Sequence, residues 1–124
     1  MPTDTGLVVP LLRGDVYEVN LDPVVGREIG KRRPAVIIQN DIGNASSGTT
    51  IVAPISSMKS GVRVFPIMVV LPKGSSGLSN ESFVHCGQIR TLDKNSRLAN
   101  KLGHLSEQQM EDIGEALRIS LAVK

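Results

Sequence analysis

The sequence predicts a mainly β domain closed by a C-terminal helix, a small and strongly bent antiparallel sheet or barrel with the helix packed on it. Three observations predict it. Between residues 16 and 92 apolar residues gather in short runs of strand length, separated by Gly-, Ser-, Asn- and Pro-rich connections. Beyond residue 105 the apolar period changes to that of a helix. No strand–helix–strand alternation and no internal repeat runs through the chain, which leaves antiparallel pairing. The 124 residues, 40% of them hydrophobic, fit one domain with one core.

Residues 1–12 read as a leader or flexible arm, and residues 13–124 as a single domain. Tyr17, Val19 and Leu21 alternate with Val16, Glu18 and Asn20, giving a strand with one mainly apolar face that ends at Asp22-Pro23. Residues 24–33 form a charged loop in which Gly26 and Gly30 permit tight turns. Ala35 to Ile38 is a continuous apolar run, a strand expected to be buried on both faces. Asn40 to Gly48 is dense in turn formers and reads as a turn-rich connection. Thr50 to Ile55 is a strand in which Pro54 suggests an edge or a bulge.

Residues 56–63 form a polar loop, Val64 to Leu71 a strand carrying Pro66, and Lys73 to Ser82 a Gly/Ser-rich loop. Phe83 to Leu92 reads as one extended segment with Gly87 as a bulge. The total is about five strands. Met110, Ile113, Leu117 and Leu121 then recur at helical spacing beside Ala116. Ser106 and Gln109 match a capping box, and Leu105 and Met110 a hydrophobic staple. Acidic residues cluster in the first turns, as the helix dipole favours, and Gly114 weakens the middle.

Composition removes several function classes. No apolar run approaches the roughly 20 residues of a membrane-spanning helix, and Leu7 to Leu12 lacks the basic start and cleavage site of a signal peptide, so no membrane partner is expected. One cysteine, Cys86, excludes an internal disulfide, and a single cysteine with two separated histidines makes no metal-ligand motif. A cytoplasmic setting and no cofactor are expected. Nucleotide-binding glycine loops, nucleophile elbows and paired carboxylates are missing from the sequence.

Charge is more informative in its distribution than in its sum of +2. Residues 23–104 carry eleven Lys and Arg against four acids, while residues 1–22 and 105–124 are net acidic. A basic centre suits a polyanion or an acidic protein, and equally an ordinary solvated surface. With Tyr17, Phe65 and Phe83 as the aromatic residues, a base-stacking platform is not expected, so any nucleic acid would be held through phosphates and hydrogen bonds.

Three segments contain candidate chemistry. In Gly26 to Pro34, Arg27, Lys31, Arg32 and Arg33 are basic, and Pro34 restricts Arg33 to extended backbone where a buried strand begins. A guanidinium held there can donate to two phosphate oxygens at once. The same residues also suit a solvated basic loop. Ser56 lies where a strand leaves the core, facing a cleft or simply ending the strand. In His85 to Asp93, alternation places Cys86, Gln88 and Arg90 on one face, and the Gln88 amide suits either a base edge or a satisfied buried position. A cysteine nucleophile pairing Cys86 with His104 or with His85 is conceivable but disfavoured, and His85, its neighbour on a strand, would point to the opposite face.

In order and spacing these segments resemble the MazF/PemK family of toxin endoribonucleases over roughly residues 13–122. The resemblance is carried by Arg13-Gly14-Asp15-Val16-Tyr17, Leu21-Asp22-Pro23, Gly26-x-Glu28, Arg33-Pro34-Ala35-Val36 and Gln39-Asn40-Asp41. Ile51 to Ser56 and Gln88-Ile89-Arg90-Thr91-Leu92-Asp93 complete it. It implies an SH3-like β-barrel of the MazF/CcdB-like plasmid toxin fold, acting as a homodimer. It implies metal-independent cleavage of single-stranded RNA at short sequences, leaving a 2′,3′-cyclic phosphate and a 5′-hydroxyl. A cognate MazE-like antitoxin with an acidic, disordered tail is the implied protein partner.

By position, Arg33 falls on the family's catalytic arginine and Ser56 on its catalytic threonine or serine. Serine keeps the hydroxyl and lacks the methyl that fixes a threonine rotamer. Glu28 falls on an acidic position tied to activity or substrate binding, Gln88 on a strand that contributes to RNA recognition, and Asn40 beside the substrate groove. Lys31 and Arg32 complete the expected substrate-binding set. The alternatives are a non-enzymatic toxin of the CcdB type that binds DNA gyrase and a non-catalytic RNA-binding barrel.

Overall fold

The structure, a computed structural model, describes residues 10–124. Of the expected arm, residues 1–9 therefore lie outside the described residues, while Leu11 packs against the core. The chain runs β1 (Asp15–Asn20), β2 (Arg32–Ile37), α1 (Asp41–Ser46), β3 (Thr49–Ser57), β4 (Met68–Leu71), β5 (Ser82–His85), β6 (Arg90–Asp93), α2 (Lys94–Arg97), β7 (Leu98–His104) and α3 (Glu107–Leu121). It is mainly antiparallel sheet with a C-terminal helix, as expected. The strands form a bent 7-stranded sheet in the order β4-β5-β3-β2-β1-β7, with β6 also on β3. Among the described residues β4, β6 and β7 each pair with a single strand, so backbone hydrogen bonds do not close the sheet into a barrel.

Alternation explains why the sheet carries two apolar faces. Val16 of β1, Val36 of β2 with Ile38 beyond it, and Ala53 and Ile55 of β3 point to one face, where β4, β5 and the Ile113–Ala116 side of α3 cover them. Val19, Leu21, Ala35, Ile37 and Val52 point to the other, closed by Leu92, Leu98 and Leu11. The run Ala35 to Ile38 is buried on both faces as expected, and the first strand is apolar on both because Val16 is buried opposite Val19 and Leu21.

Several expectations are corrected. The Asn40–Gly48 connection contains a helical turn, α1, whose first amides are capped when the Asn40 side chain accepts from Gly43 N at 2.8 Å. Pro54 lies in the long central strand and not at an edge. On one side of β3, residues 49–52 pair with β6 and residues 55–57 with β5. Pro54 sits where the partner changes, so neither strand needs the N–H it lacks. The strand expected from Val64 begins only at Met68, leaving Val64 and Phe65 about half exposed.

The extended segment from Phe83 to Leu92 is two strands broken by a turn at Cys86-Gly87. β7 carries no apolar alternation, and α2 is announced only by Asp93, whose carboxylate caps Ser96 N at 2.9 Å. The capping box at Ser106 and Gln109 is formed, and Leu105 and Met110 share one core cluster. The buried stripe of α3 stops at Leu117, since Leu121 is 53% exposed.

Candidate functional site

Arg33 and Ser56 reach each other because of strand register. Ala35 lies opposite Pro54, and continuing that register sets Arg33 opposite Ser56 at the mouth of the sheet. The Arg33 guanidinium donates from Nη1 to Ser56 Oγ at 2.8 Å and from Nε to the carbonyl of Gly30 at 2.8 Å. Two anchors on different segments fix the plane of the guanidinium and leave its remaining N–H groups for an anion. Both residues are half-buried. They form the ridge between two clefts, one of about 580 Å³ lined by residues including Glu28, Lys59, Phe83 and His85, the other of about 450 Å³ reaching Arg32, Asn80 and Ser82.

The loop over the first cleft is held by its own polar groups. Glu28 Oε1 accepts from Val25 N at 2.8 Å, closing a turn. Asp22 Oδ1 accepts from Lys31 N at 2.8 Å, and Leu21 N donates to the Lys31 carbonyl. Lys31 itself takes a φ of 69°, a conformation seldom adopted outside glycine, and its side chain is exposed. Gly30 is required here, because a Cβ would lie 2.6 Å from the Asp22 carboxylate and 2.7 Å from the Val24 side chain.

Gln88 lies on the turn after β5, and its amide holds the same loop. Oε1 accepts from Ile29 N at 2.7 Å, and Nε2 reaches the Arg27 carbonyl at 3.4 Å. Both ends of the amide therefore face protein backbone. Asn40 is not brought to this site. It follows the far end of β2 and caps α1. Arg32, exposed at the first position of β2, reaches the second cleft.

The motif Arg13-Gly14-Asp15 is structural. Asp15 is fully buried, accepting from Leu12 N at 3.0 Å and contacting His104 Nδ1 at 2.7 Å and Lys101 Nζ at 3.3 Å. Cys86 is fully buried in the core, and burial pushes its thiol up to about 11, which leaves it protonated and unreactive at neutral pH.

His85, which in the sequence pairs only with the neighbouring Cys86 as candidate chemistry, belongs to this cleft. Its Nε2 lies 3.0 Å from Ser56 Oγ, on the side away from Cys86. Its ring packs against Phe83 with centroids 4.5 Å apart. Burial, and then the Arg33 charge, hold its pKa below the ordinary 6.5, so it is neutral at pH 7. The available signal was the i, i+2 spacing of Phe83 and His85, which places both on one face of β5. Among the described residues no group of three or more His, Cys, Asp or Glu is placed to hold a metal ion.

Comparison with known proteins gives a consistent picture. The sequence pattern of the PemK-like, MazF-like toxins of type II toxin–antitoxin systems matches residues 12–121. Endoribonuclease EndoA of Bacillus subtilis is 45% identical over 111 residues, covering 90% of this chain and 94% of that protein. Endoribonuclease MazF of Staphylococcus saprophyticus is 46% identical over 111 residues, covering 90% and 91%. A solved MazE-MazF structure from Deinococcus radiodurans contains a chain 26% identical to this one, with a TM-score of 0.73 and coverage of 94% and 100%.

Proposed function

The chain belongs to the family of PemK-like, MazF-like toxins of type II toxin–antitoxin systems, and from that premise we propose that it is an endoribonuclease that cleaves single-stranded RNA at Arg33 and Ser56. The observation that carries the site assignment is the Arg33–Ser56 hydrogen bond of 2.8 Å at the ridge between two clefts. The proposed products are a 2′,3′-cyclic phosphate and a 5′-hydroxyl, formed without a metal ion. An antitoxin is the expected protein partner, as in the MazE-MazF assembly, and the active species is a homodimer working in the cytoplasm.

In this reading the RNA 2′-hydroxyl attacks the adjacent phosphorus and the 5′-oxygen leaves. Negative charge gathers on the non-bridging oxygens in the transition state. The N–H groups of Arg33 that are not engaged by Gly30 and Ser56 meet that charge, already oriented before substrate arrives. Ser56 adds a hydroxyl at the same point. Arg27, Lys59 and Arg32 surround the site with positive charge that draws a phosphate backbone towards it. Single-stranded RNA is required because the in-line geometry is not available within an A-form helix.

The test is cleavage of RNA by the purified protein in excess EDTA, comparing wild type with Arg33→Ala and Ser56→Ala and identifying the ends. Removing a preorganised donor lowers the rate about 100–1000-fold. A 2′-deoxy substitution at the cut nucleotide abolishes cleavage, because it removes the nucleophile. Undiminished cutting by Arg33→Ala refutes the site assignment. RNA that is bound but never cut, or gyrase inhibition with intact RNA, refutes the reaction.

A further inference from the structure

The geometry around Ser56 points to one more participant: we propose that His85 is the proton acceptor of the cleavage step, reached by the proton of the attacking 2′-hydroxyl through Ser56. This rests on the endoribonuclease reading above and assigns the one role that Arg33 cannot fill. Arginine stays protonated near neutrality and only donates. Glu28 engages the loop through Val25 N, and the Cys86 thiol points into the core.

The valences of one oxygen carry the inference. A serine Oγ has one proton and two lone pairs. The Arg33 guanidinium fills one lone pair at 2.8 Å, and His85 Nε2, at 3.0 Å, is placed to take the proton. The second lone pair is left for the cleft, where a substrate hydroxyl can donate to it. The imidazole is held for this by ring contact with Phe83 and by the pairing of His85 with Met68 across β4 and β5. The charged groups around it are Arg33 on β2, Arg27 and Glu28 on the loop, and Lys59 beyond β3. The pKa of His85 is lowered by burial and then by Arg33, which keeps the base form populated at pH 7.

The step balances without a co-reactant other than water. The O2′–P bond forms as the 2′-proton passes to Oγ and the Oγ proton passes to Nε2. The P–O5′ bond breaks, and the leaving oxygen takes a proton from water. The imidazolium then returns its proton to the hydroxide so formed.

The experiment is the pH–rate profile for wild type, His85→Gln and His104→Gln on one RNA between about pH 5 and 8. Only two histidines are present. Wild type loses activity in acid along a limb whose midpoint lies below 6.5. His85→Gln loses that limb, and its kcat falls about 100-fold or more with KM little changed. His104→Gln keeps the limb. Following the His85 imidazole by NMR in the wild-type protein gives a midpoint matching the kinetic limb, a readout independent of how the variant folds. A limb that persists in His85→Gln, a wild-type rate in that variant, or an imidazole midpoint that departs from the limb overturns the inference. Wild-type protein that cuts no RNA overturns the underlying reading instead. Cutting that depends on Arg33 but not on His85 overturns this inference alone.

Discussion

Replacing Gln88 by alanine separates two roles that the residue type alone leaves open. A glutamine that reads a base leaves the fold indifferent to its loss and changes which sequence is cut. A glutamine that holds the loop changes stability and slows cleavage at every site alike. The contacts favour the second role, since both ends of the amide face the backbone of residues 27–29. The 2.7 Å bond to Ile29 N is the substantial one, while the 3.4 Å approach to Arg27 O is long for a hydrogen bond.

Removing one such partly buried bond costs about 0.5–1.5 kcal/mol, which lowers Tm by roughly 2–6 °C for a domain of this size. The loop keeps its ties at Val25 and Lys31, so it loosens and does not unfold. Arg33 is anchored through Nε to Gly30, next to the released Ile29. A displacement of about 1 Å at a reacting group can cost up to roughly 100-fold in rate. The assay pairs thermal unfolding with sequencing of cleaved ends from a mixed RNA pool. The expected result is a lower Tm and a uniform loss of rate over an unchanged set of cut sequences. An unchanged Tm with an altered set of cut sequences refutes the reasoning.

Two further outcomes follow from glycine environments. Gly114→Ala in α3 stabilises the fold by about 0.5–1 kcal/mol, measured by denaturant unfolding, because the added Cβ meets nothing within 4 Å and the helix gains propensity. Gly103→Ala on β7 destabilises by about 1–3 kcal/mol in the same assay, because its Cβ would stand 2.7 Å from the Ser76 backbone, which cannot swing aside as a side chain can. Equal stability of wild type and either variant contradicts the corresponding contact.

The candidate site was legible through the resemblance to the MazF/PemK family, since by residue type and periodicity alone Arg33 suited a solvated loop and Ser56 a strand end. Arg33 before Pro34, at the start of a doubly buried strand, and Ser56 at the end of another were identifiable one at a time. Their contact was not, because it depends on a register between strands separated by α1 and its flanking turns. Asn40 and Gln88 carried side chains suited to recognition, and the fold uses one to cap α1 and the other to hold a loop. His85 stayed outside the candidate site because its partner Ser56 lies 29 residues away on another strand. Alternation along β5 sends the imidazole to the cleft and the Cys86 thiol to the core.

The sequence by itself determined what local interactions decide: the capping box and staple of α3, the double burial of residues 35–38, the basic centre of the chain, and the family pattern along it. Only tertiary structure decided what depends on distant partners. It drew the polar β7 into the sheet as an edge strand, placed Pro54 where two partner strands meet, and joined a guanidinium, a hydroxyl and an imidazole from three different strands. The reason is physical. Helical caps and alternation act over a few residues, whereas hydrogen-bond geometry between β2, β3 and β5 exists only once the sheet has fixed their register.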